Sequence, residues 1–143
     1  MPSEPTGPKP TVLVVDDDGE LLDVLRDVIE EEGYRAVTAR NGEGAFELLR
    51  AGERPCLILL DLKMPGMGGA EFRRLQLADS RLAGIPVAGF TGVSDGEREA
   101  RRLALAAFLR KPVKLHRLLE TIAHYCSEPD HLDGASQRTS ATG

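Results

Sequence analysis

The chain has 143 residues, 41% of them hydrophobic, which suits one ordinary domain with a core of its own. Its formal net charge of −5 argues against a primary role in holding nucleic acid or an anionic membrane surface. No apolar run is long enough to cross a bilayer and no signal segment is recognisable, so a reducing cytoplasm is the expected location.

The two cysteines give no sign of a metal centre. Cys56 opens an apolar run, where a small buried thiol is expected, and Cys126 lies at the edge of the C-terminal tail. Neither belongs to a Cys-x-x-Cys motif or a Cys/His cluster, so a zinc site is not expected.

The two ends of the chain differ in composition from the middle. Residues 1–10 are rich in Pro, Gly and Ser and predict a disordered leader. Residues 127–143 are polar, lack helical periodicity and predict a disordered tail or a linker. One folded domain is therefore expected over residues 11–126.

Within that domain, short apolar runs alternate with segments of helical periodicity. The predicted strands are Val12–Val15, Tyr34–Thr38, Cys56–Leu60, Pro86–Phe90 and Phe108–Arg110. A helix is expected after each strand, and the fourth helix, about Ser94–Ala104, is heavily charged. Repeated βα units imply a parallel sheet with right-handed crossovers. The prediction is an α/β, flavodoxin-like (βα)5 fold, a doubly wound parallel sheet with strand order 2-1-3-4-5.

Carboxylates follow the first and third predicted strands. Asp16 and Asp17 come directly after Val15, and Asp61 comes directly after Leu60. In this fold the carboxyl ends of those two strands flank the ligand-binding crevice, so the three side chains should meet there. Clustered carboxylates repel one another, and a hard divalent cation such as Mg²⁺ takes oxygen ligands in such places.

Five residues in this order, Asp16, Asp17, Asp61, Thr91 and Lys111, resemble the receiver domain of two-component response regulators. The resemblance runs from about Thr11 to Tyr125. It implies a signalling switch rather than an enzyme, which accepts a phosphoryl group from a sensor histidine kinase or a histidine phosphotransfer protein. The switch would then act on a downstream protein, without direct contact to nucleic acid or membrane.

The same resemblance implies a role for each polar residue of the site. Asp61 would accept the phosphoryl group and would also be a ligand of Mg²⁺. Asp17 would bind Mg²⁺ directly and Asp16 directly or through water, while the backbone carbonyl of Lys63 would complete the protein ligands.

Three residues on later strands would respond to the phosphoryl group. The Thr91 hydroxyl would bond one of its oxygens. Lys111 would pair with Asp61 at rest and with the phosphoryl group afterwards, presented by a cis peptide bond to Pro112. Phe108 would move inward with Thr91, although a plain core aromatic is an equally good interpretation of that residue.

Some positions depart from the family pattern. Ala106 and Ala107 stand where acidic residues form dimer salt bridges in transcription-factor receivers, so a monomer or a weak dimer is expected. Gly68 replaces a helix-capping Asp, at a cost of about 1 kcal/mol or less. Six basic residues predict a local basic surface for an acidic partner: Arg98, Arg101, Arg102, Arg110, Lys114 and Arg117. A merely solvated charged face is the alternative.

Other classes fit the sequence less well. A haloacid-dehalogenase-like phosphatase needs a second Asp two residues after the first, where this chain has Lys63. A flavodoxin-like cofactor site needs a hydroxyl- and Gly-rich loop, where this chain has three successive carboxylates. A phosphorylation-independent receiver-like adaptor, and a receiver fragment of a hybrid histidine kinase, remain open.

Overall fold

A computed structural model of the protein describes residues 9–92 and 94–126, in which five strands alternate with five helices. The strands are β1 Thr11–Val15, β2 Arg35–Ala39, β3 Leu57–Asp61, β4 Val87–Thr91 and β5 Ala107–Arg110. The helices are α1 Gly19–Glu31, α2 Gly42–Arg50, α3 Gly69–Leu77, α4 Gly96–Arg102 and α5 Leu115–Cys126. The predicted tail, and all of the predicted leader except its last two residues, lie outside the described residues.

All five strands are parallel, in the order β2-β1-β3-β4-β5, which confirms the predicted doubly wound sheet. Strand β1 pairs with both β2 and β3, and Val15 at its end lies opposite Ala39 and Leu60. Strand β2 is therefore added on one side of β1, and strands β3, β4 and β5 are added on the other side. The carboxyl ends of β1 and β3 meet at this switch point, where ligands bind in sheets of this kind.

Side chains of β1 point alternately to the two faces of the sheet, and each face has its own core. Val12 and Val14 pack in a cluster with α1 and α5, while Leu13 and Val15 pack in a second cluster with α2 and α3. Because both faces of the sheet are covered, the strand sequences are continuously apolar and do not alternate between apolar and polar residues.

Two helix starts at this edge are fixed by side-chain caps. The Asp18 carboxylate accepts hydrogen bonds from the backbone N–H groups of Glu20 and Leu21, and Asn41 accepts one from Gly44. Gly68 occupies the cap of α3 without a side-chain bond, as its replacement of Asp predicts. Within the described residues, no helix has the length and apolarity needed to cross a bilayer.

The cysteines correct one prediction. Cys56 is not a free buried thiol, because it forms a disulfide with Cys126, 70 residues later in the chain. The pairing follows from α5 packing back over the sheet, so that its last residue lies beside the start of β3. Sequence spacing alone does not contain that information.

The fourth helix is shorter than predicted, because the chain leaves the helical conformation after Arg102. Ala104 adopts φ 57°, the left-handed region, in which a Cβ atom is crowded. Arg73 from α3 steadies this turn by donating hydrogen bonds to the carbonyls of Leu103 and Ala104, at 3.0 and 2.9 Å.

We expect Ala104→Gly to stabilise the fold. Glycine removes the left-handed penalty but adds chain entropy to the unfolded state, so the net gain should be about 0.5–1 kcal/mol. Chemical denaturation measures it. The control is Ala78→Gly, at an exposed helix cap with φ −78°, which should lower stability by about 0.5–1 kcal/mol. A loss at Ala104 equal to that at Ala78 would contradict the strain argument.

Candidate functional site

Three carboxylates meet where β1 and β3 end. Asp16 directly follows β1, and its backbone N–H donates to Ala39 at 3.1 Å, which continues the sheet by one residue. Asp61 is the last residue of β3, and Asp17 lies in the turn before α1. Oxygen atoms of the three side chains lie within 4.8 Å of one another. The structure therefore brings together the acidic set that the sequence predicted.

The two inner carboxylates are fixed by the backbone of their own loops. Asp16 is fully buried, and its Oδ1 accepts a hydrogen bond of 2.9 Å from the Asp18 N–H. Asp61 is 3% exposed, and its Oδ1 accepts one of 3.0 Å from the Lys63 N–H. Asp17 is exposed, so it forms the solvent side of the cluster.

Lys111 places an ammonium group between the buried carboxylates. Its Nζ lies 2.8 Å from Asp16 Oδ2 and 3.3 Å from Asp61 Oδ2. The predicted pairing with Asp61 is present, and a shorter one with Asp16 accompanies it. Its backbone N–H donates to the Thr91 carbonyl at 3.1 Å, and the bond to Pro112 is cis, as predicted.

These neighbours change the acidity of two groups. Burial raises the pKa of Asp61, and the charge of Asp16 adds to that rise; the Lys63 N–H and Lys111 offset part of it. Burial acts to lower the pKa of Lys111, but the hydrogen bonds and charges of Asp16 and Asp61 outweigh it and raise that pKa. The ammonium therefore stays charged at neutral pH.

Thr91 and Phe108 both reach the start of α4. Thr91 ends β4 beside Asp61 and is 2% exposed, while Phe108 on β5 is partly exposed. A Cβ atom added at Gly96 would come closest to the Thr91 methyl group and would lie 3.0 Å from the Phe108 ring. The first residue of α4 is thus enclosed by the two predicted switch residues.

Sequence reasoning missed Arg40. Its guanidinium donates a 3.2 Å hydrogen bond to the Asp17 carbonyl and lies over Gly19, where a Cβ atom would come within 3.3 Å of it. The signal was present, because Arg40 directly follows β2 and all parallel strands end at the same edge of the sheet. Arg40 therefore supports the turn that carries Asp17.

The carboxylates suit a hard cation. Asp16, Asp17 and Asp61 each offer an oxygen ligand within a common small volume, and carboxylate oxygens are what Mg²⁺ and Ca²⁺ prefer. Lys111 neutralises one of the three negative charges, so two remain uncompensated within the cluster. The predicted Lys63 carbonyl ligand stays a prediction.

We expect Asp61→Asn to stabilise the metal-free protein at neutral pH. Because the folded-state pKa of Asp61 is raised, the unfolded chain loses this proton at a lower pH than the native protein does. The wild type therefore loses stability as pH rises from about 4 through that folded-state pKa, whereas the amide does not titrate. Melting curves in a chelator at several pH values measure the difference between the two proteins.

The exposed Asp27→Asn on α1 is the control, with little change expected at any pH. The advantage of Asp61→Asn should disappear below pH 4. An advantage that is independent of pH, or a loss of stability at pH 7, would contradict the desolvation argument.

Comparisons with known proteins agree with this geometry. Residues 12–123 match the model of the response regulator receiver domain. The chain is 33% identical over 120 residues to the polar-differentiation response regulator DivK of Brucella anthropi, covering 82% of this chain and 97% of that protein.

Solved structures give the same result. A response regulator receiver protein from Pseudomonas putida is similar with a TM-score of 0.76 and 31% identity, covering 83% of this chain and 99% of that one. Chemotaxis protein CheY4 of Vibrio cholerae is similar with a TM-score of 0.74 and 25% identity, covering 82% and 98%. The chain therefore belongs to the response regulator receiver domain family, the phosphorylatable receivers of two-component signalling.

Proposed function

We propose that Asp61 is the residue phosphorylated in this receiver, and that Mg²⁺ is the cation of its carboxylate cluster. The observation that carries the proposal is the double contact of Lys111 with Asp16 and Asp61. An ammonium held between two buried carboxylates creates a site for added negative charge at the end of β3. A surface Asp in a turn would have no such surroundings.

In the proposed reaction, the phosphoryl group passes from a histidine imidazole to the Asp61 carboxylate. An Asp61 carboxylate oxygen attacks the phosphorus of a phosphohistidine on a sensor histidine kinase or a histidine phosphotransfer protein. A P–O bond forms, the P–N bond breaks, and the imidazole leaves with the bonding electron pair. The protein catalyses this step and the later hydrolysis of its own acyl phosphate.

Each neighbour has a task in this transfer. The Lys63 N–H holds Asp61 Oδ1, which orients the carboxylate so that Oδ2 is the attacking oxygen. Lys111 keeps its contact with Asp16 and follows the negative charge from Asp61 onto the phosphoryl oxygens. Asp16, Asp17, Asp61 and the Lys63 carbonyl would hold Mg²⁺, which would supply positive charge to neutralise the incoming phosphoryl group.

The added charge, about −2 near neutral pH, drives the output. The Thr91 hydroxyl turns toward the phosphoryl group and vacates space beside Gly96, into which the Phe108 ring moves. Since Gly96 begins α4, this movement reaches the surface formed by α4, β5 and α5. We propose that the downstream protein docks there.

The partner surface is basic. A groove beside Phe108 is lined by Arg110, Lys114 and Arg117, with Glu97 as its one acidic lining residue, and within residues 9–92 and 94–126 none of these three cations forms an ion pair. Arg101 and Arg102, by contrast, pair with Glu97 and Glu99 of their own helix. The unpaired cations of the groove therefore lie on β5 and around the start of α5, where an acidic segment of a partner would find them. Arg98 on α4 is a further described cation without an ion pair.

The remaining properties follow from charge. The acidic net charge supports a receiver that contacts neither nucleic acid nor membrane directly. Ala106 and Ala107 offer no acidic groups for a salt-bridged dimer, which supports a monomer or a weak dimer. We also propose the cytoplasm as its location, as expected from the sequence.

We expect acetyl phosphate to add one phosphoryl group to the wild type in the presence of Mg²⁺. Asp61→Asn should abolish the labelling, because an amide is not a usable nucleophile here. Intact-mass spectrometry before and after hydroxylamine measures the acyl phosphate. Asp27→Asn is the matched control and should label normally. Labelling that persists in Asp61→Asn would refute the assignment, and a wild type that never labels would favour the phosphorylation-independent adaptor.

The basic groove gives a second expectation. Reversing Arg110 and Arg117 to Glu should weaken binding of a fluorescent Glu/Leu-rich helical peptide to the phosphorylated protein by at least about tenfold at low salt. Reversing Arg101 and Arg102 to Glu changes the net charge equally and should have a smaller effect. Asp61 labelling should survive in both. Equal losses from the two reversals would indicate an effect of net charge alone and would contradict the groove as the docking site.

A further inference from the structure

A disulfide joins the start of β3 to the end of α5, two points 70 residues apart along the chain. Cys56 directly precedes β3 and Cys126 is the last residue of α5, with their Cα atoms 5.3 Å apart. Asp61 lies at the opposite end of β3, about 16 Å away at the usual rise of a strand. The bridge therefore lies at the edge of the sheet where β3 begins, opposite the edge that carries the proposed phosphorylation site.

The two cysteines are positioned by the fold and not by the bridge alone. The Cys56 N–H donates to the Thr11 carbonyl at 2.9 Å, which extends the pairing of β1 with β3. Leu118 and Ile122 bury α5 against the sheet, and the Tyr125 hydroxyl donates to the Ala106 carbonyl at 3.1 Å. In the reduced protein these contacts would keep the thiols close to each other, ready to close again.

The two cysteine residues differ in exposure. Cys126 is 4% exposed, whereas Cys56 is only partly buried. A small thiolate therefore reaches the Cys56 sulfur more easily than the Cys126 sulfur. In a reducing compartment, which is the proposed location of this receiver, disulfides are usually transient and redox-sensing rather than permanent.

We propose that Cys56–Cys126 is a reversible modification site for small disulfides and thiols of the glutathione class, and that closing it fastens the end of α5 to the sheet. In the closing direction, the Cys56 thiolate attacks a small disulfide. A mixed disulfide forms at Cys56 and one small thiolate leaves. The Cys126 thiolate then attacks the Cys56 sulfur, the protein disulfide forms and the second small thiolate leaves.

The opening direction reverses these steps. A small thiolate attacks the Cys56 sulfur and releases the Cys126 thiolate, and a second one then frees Cys56. Two protein thiols and one small disulfide result, so electrons and protons balance. The open form retains the five-stranded sheet and the carboxylate site, and only the last turn of α5 gains freedom.

The test compares the whole chain after incubation with oxidised glutathione and after incubation with excess reduced glutathione, both without denaturant. Oxidation should remove both reactive thiols and two hydrogens, within a monomer. Reduction should restore both thiols. The melting temperature should be higher in the oxidised form by at least about 5 °C, because the bridge closes a long loop. Amide exchange in the last turn of α5 should be faster in the reduced form.

Cys126→Ser and Cys56→Ser are the matched variants. Neither should show a redox-dependent melting shift, and Cys126→Ser should form a mixed disulfide with glutathione at Cys56 faster than Cys56→Ser does at Cys126. If a serine variant does not fold, the wild-type comparison alone decides. Thiols that stay free under oxidation, bridges between two chains, or a bridge that reduced glutathione cannot open would each overturn the proposal.

Acetyl phosphate labelling of Asp61 separates this proposal from the proposed function. Labelling should agree within about twofold between the two redox forms. If the disulfide opens and closes as proposed but Asp61 is never labelled, only the assignment of Asp61 as phosphoacceptor is refuted. If oxidation abolishes labelling, the claim that closing the disulfide affects only the end of α5 is refuted.

Discussion

The ion pairs of Lys111 with Asp16 and Asp61 are the interaction on which the rest of the site depends. Two carboxylates that are almost fully buried at adjacent strand ends would repel each other. The ammonium lies within 3.3 Å of both and offsets this repulsion. With Asp17 included, the cluster holds three negative groups and one positive group. The uncompensated negative charge favours a divalent cation, and a bound cation would in turn favour transfer of a phosphoryl group.

The sheet connects this charge cluster to the surface. Asp61 lies opposite Phe90 in the β3–β4 pairing, and Thr91 lies opposite Arg110 in the β4–β5 pairing. Lys111 joins the same edge through its backbone bond to Thr91. In the proposed function, a change of charge at Asp61 would therefore need no long-range pathway, because Thr91 and Phe108 already lie against Gly96 at the start of α4.

Much of this architecture was predictable because strand ends are visible in the sequence. Apolar runs located all five strands to within one or two residues, and carboxylates after the first and third predicted a common site. The parallel topology then fixed which ends meet. Asp16, Asp17 and Asp61 were placed together in this way, whereas Thr91, Lys111 and the cis bond before Pro112 were implied by the resemblance to receiver domains.

The parts that were missed depend on long-range packing or on local strain. The Cys56–Cys126 pairing requires knowing where the end of α5 lands on the sheet. The position of Arg40 directly after β2 indicated its place at this edge, but its hydrogen bond to the Asp17 carbonyl has no sequence motif. Ala104 adopts a left-handed conformation that usually indicates glycine, and Arg73 from another helix supports it.

The central claim is that uncompensated carboxylate charge defines the site, and a Mg²⁺ titration followed by thermal melting tests it most directly. The wild type should gain stability with Mg²⁺, because binding to the native state alone raises its free energy of unfolding. Asp17→Asn should melt higher than the wild type without Mg²⁺, since repulsion within the cluster falls, and should lose most of the Mg²⁺-dependent gain. Asp27→Asn should behave as the wild type. A Mg²⁺ effect of unchanged size in Asp17→Asn would contradict the account.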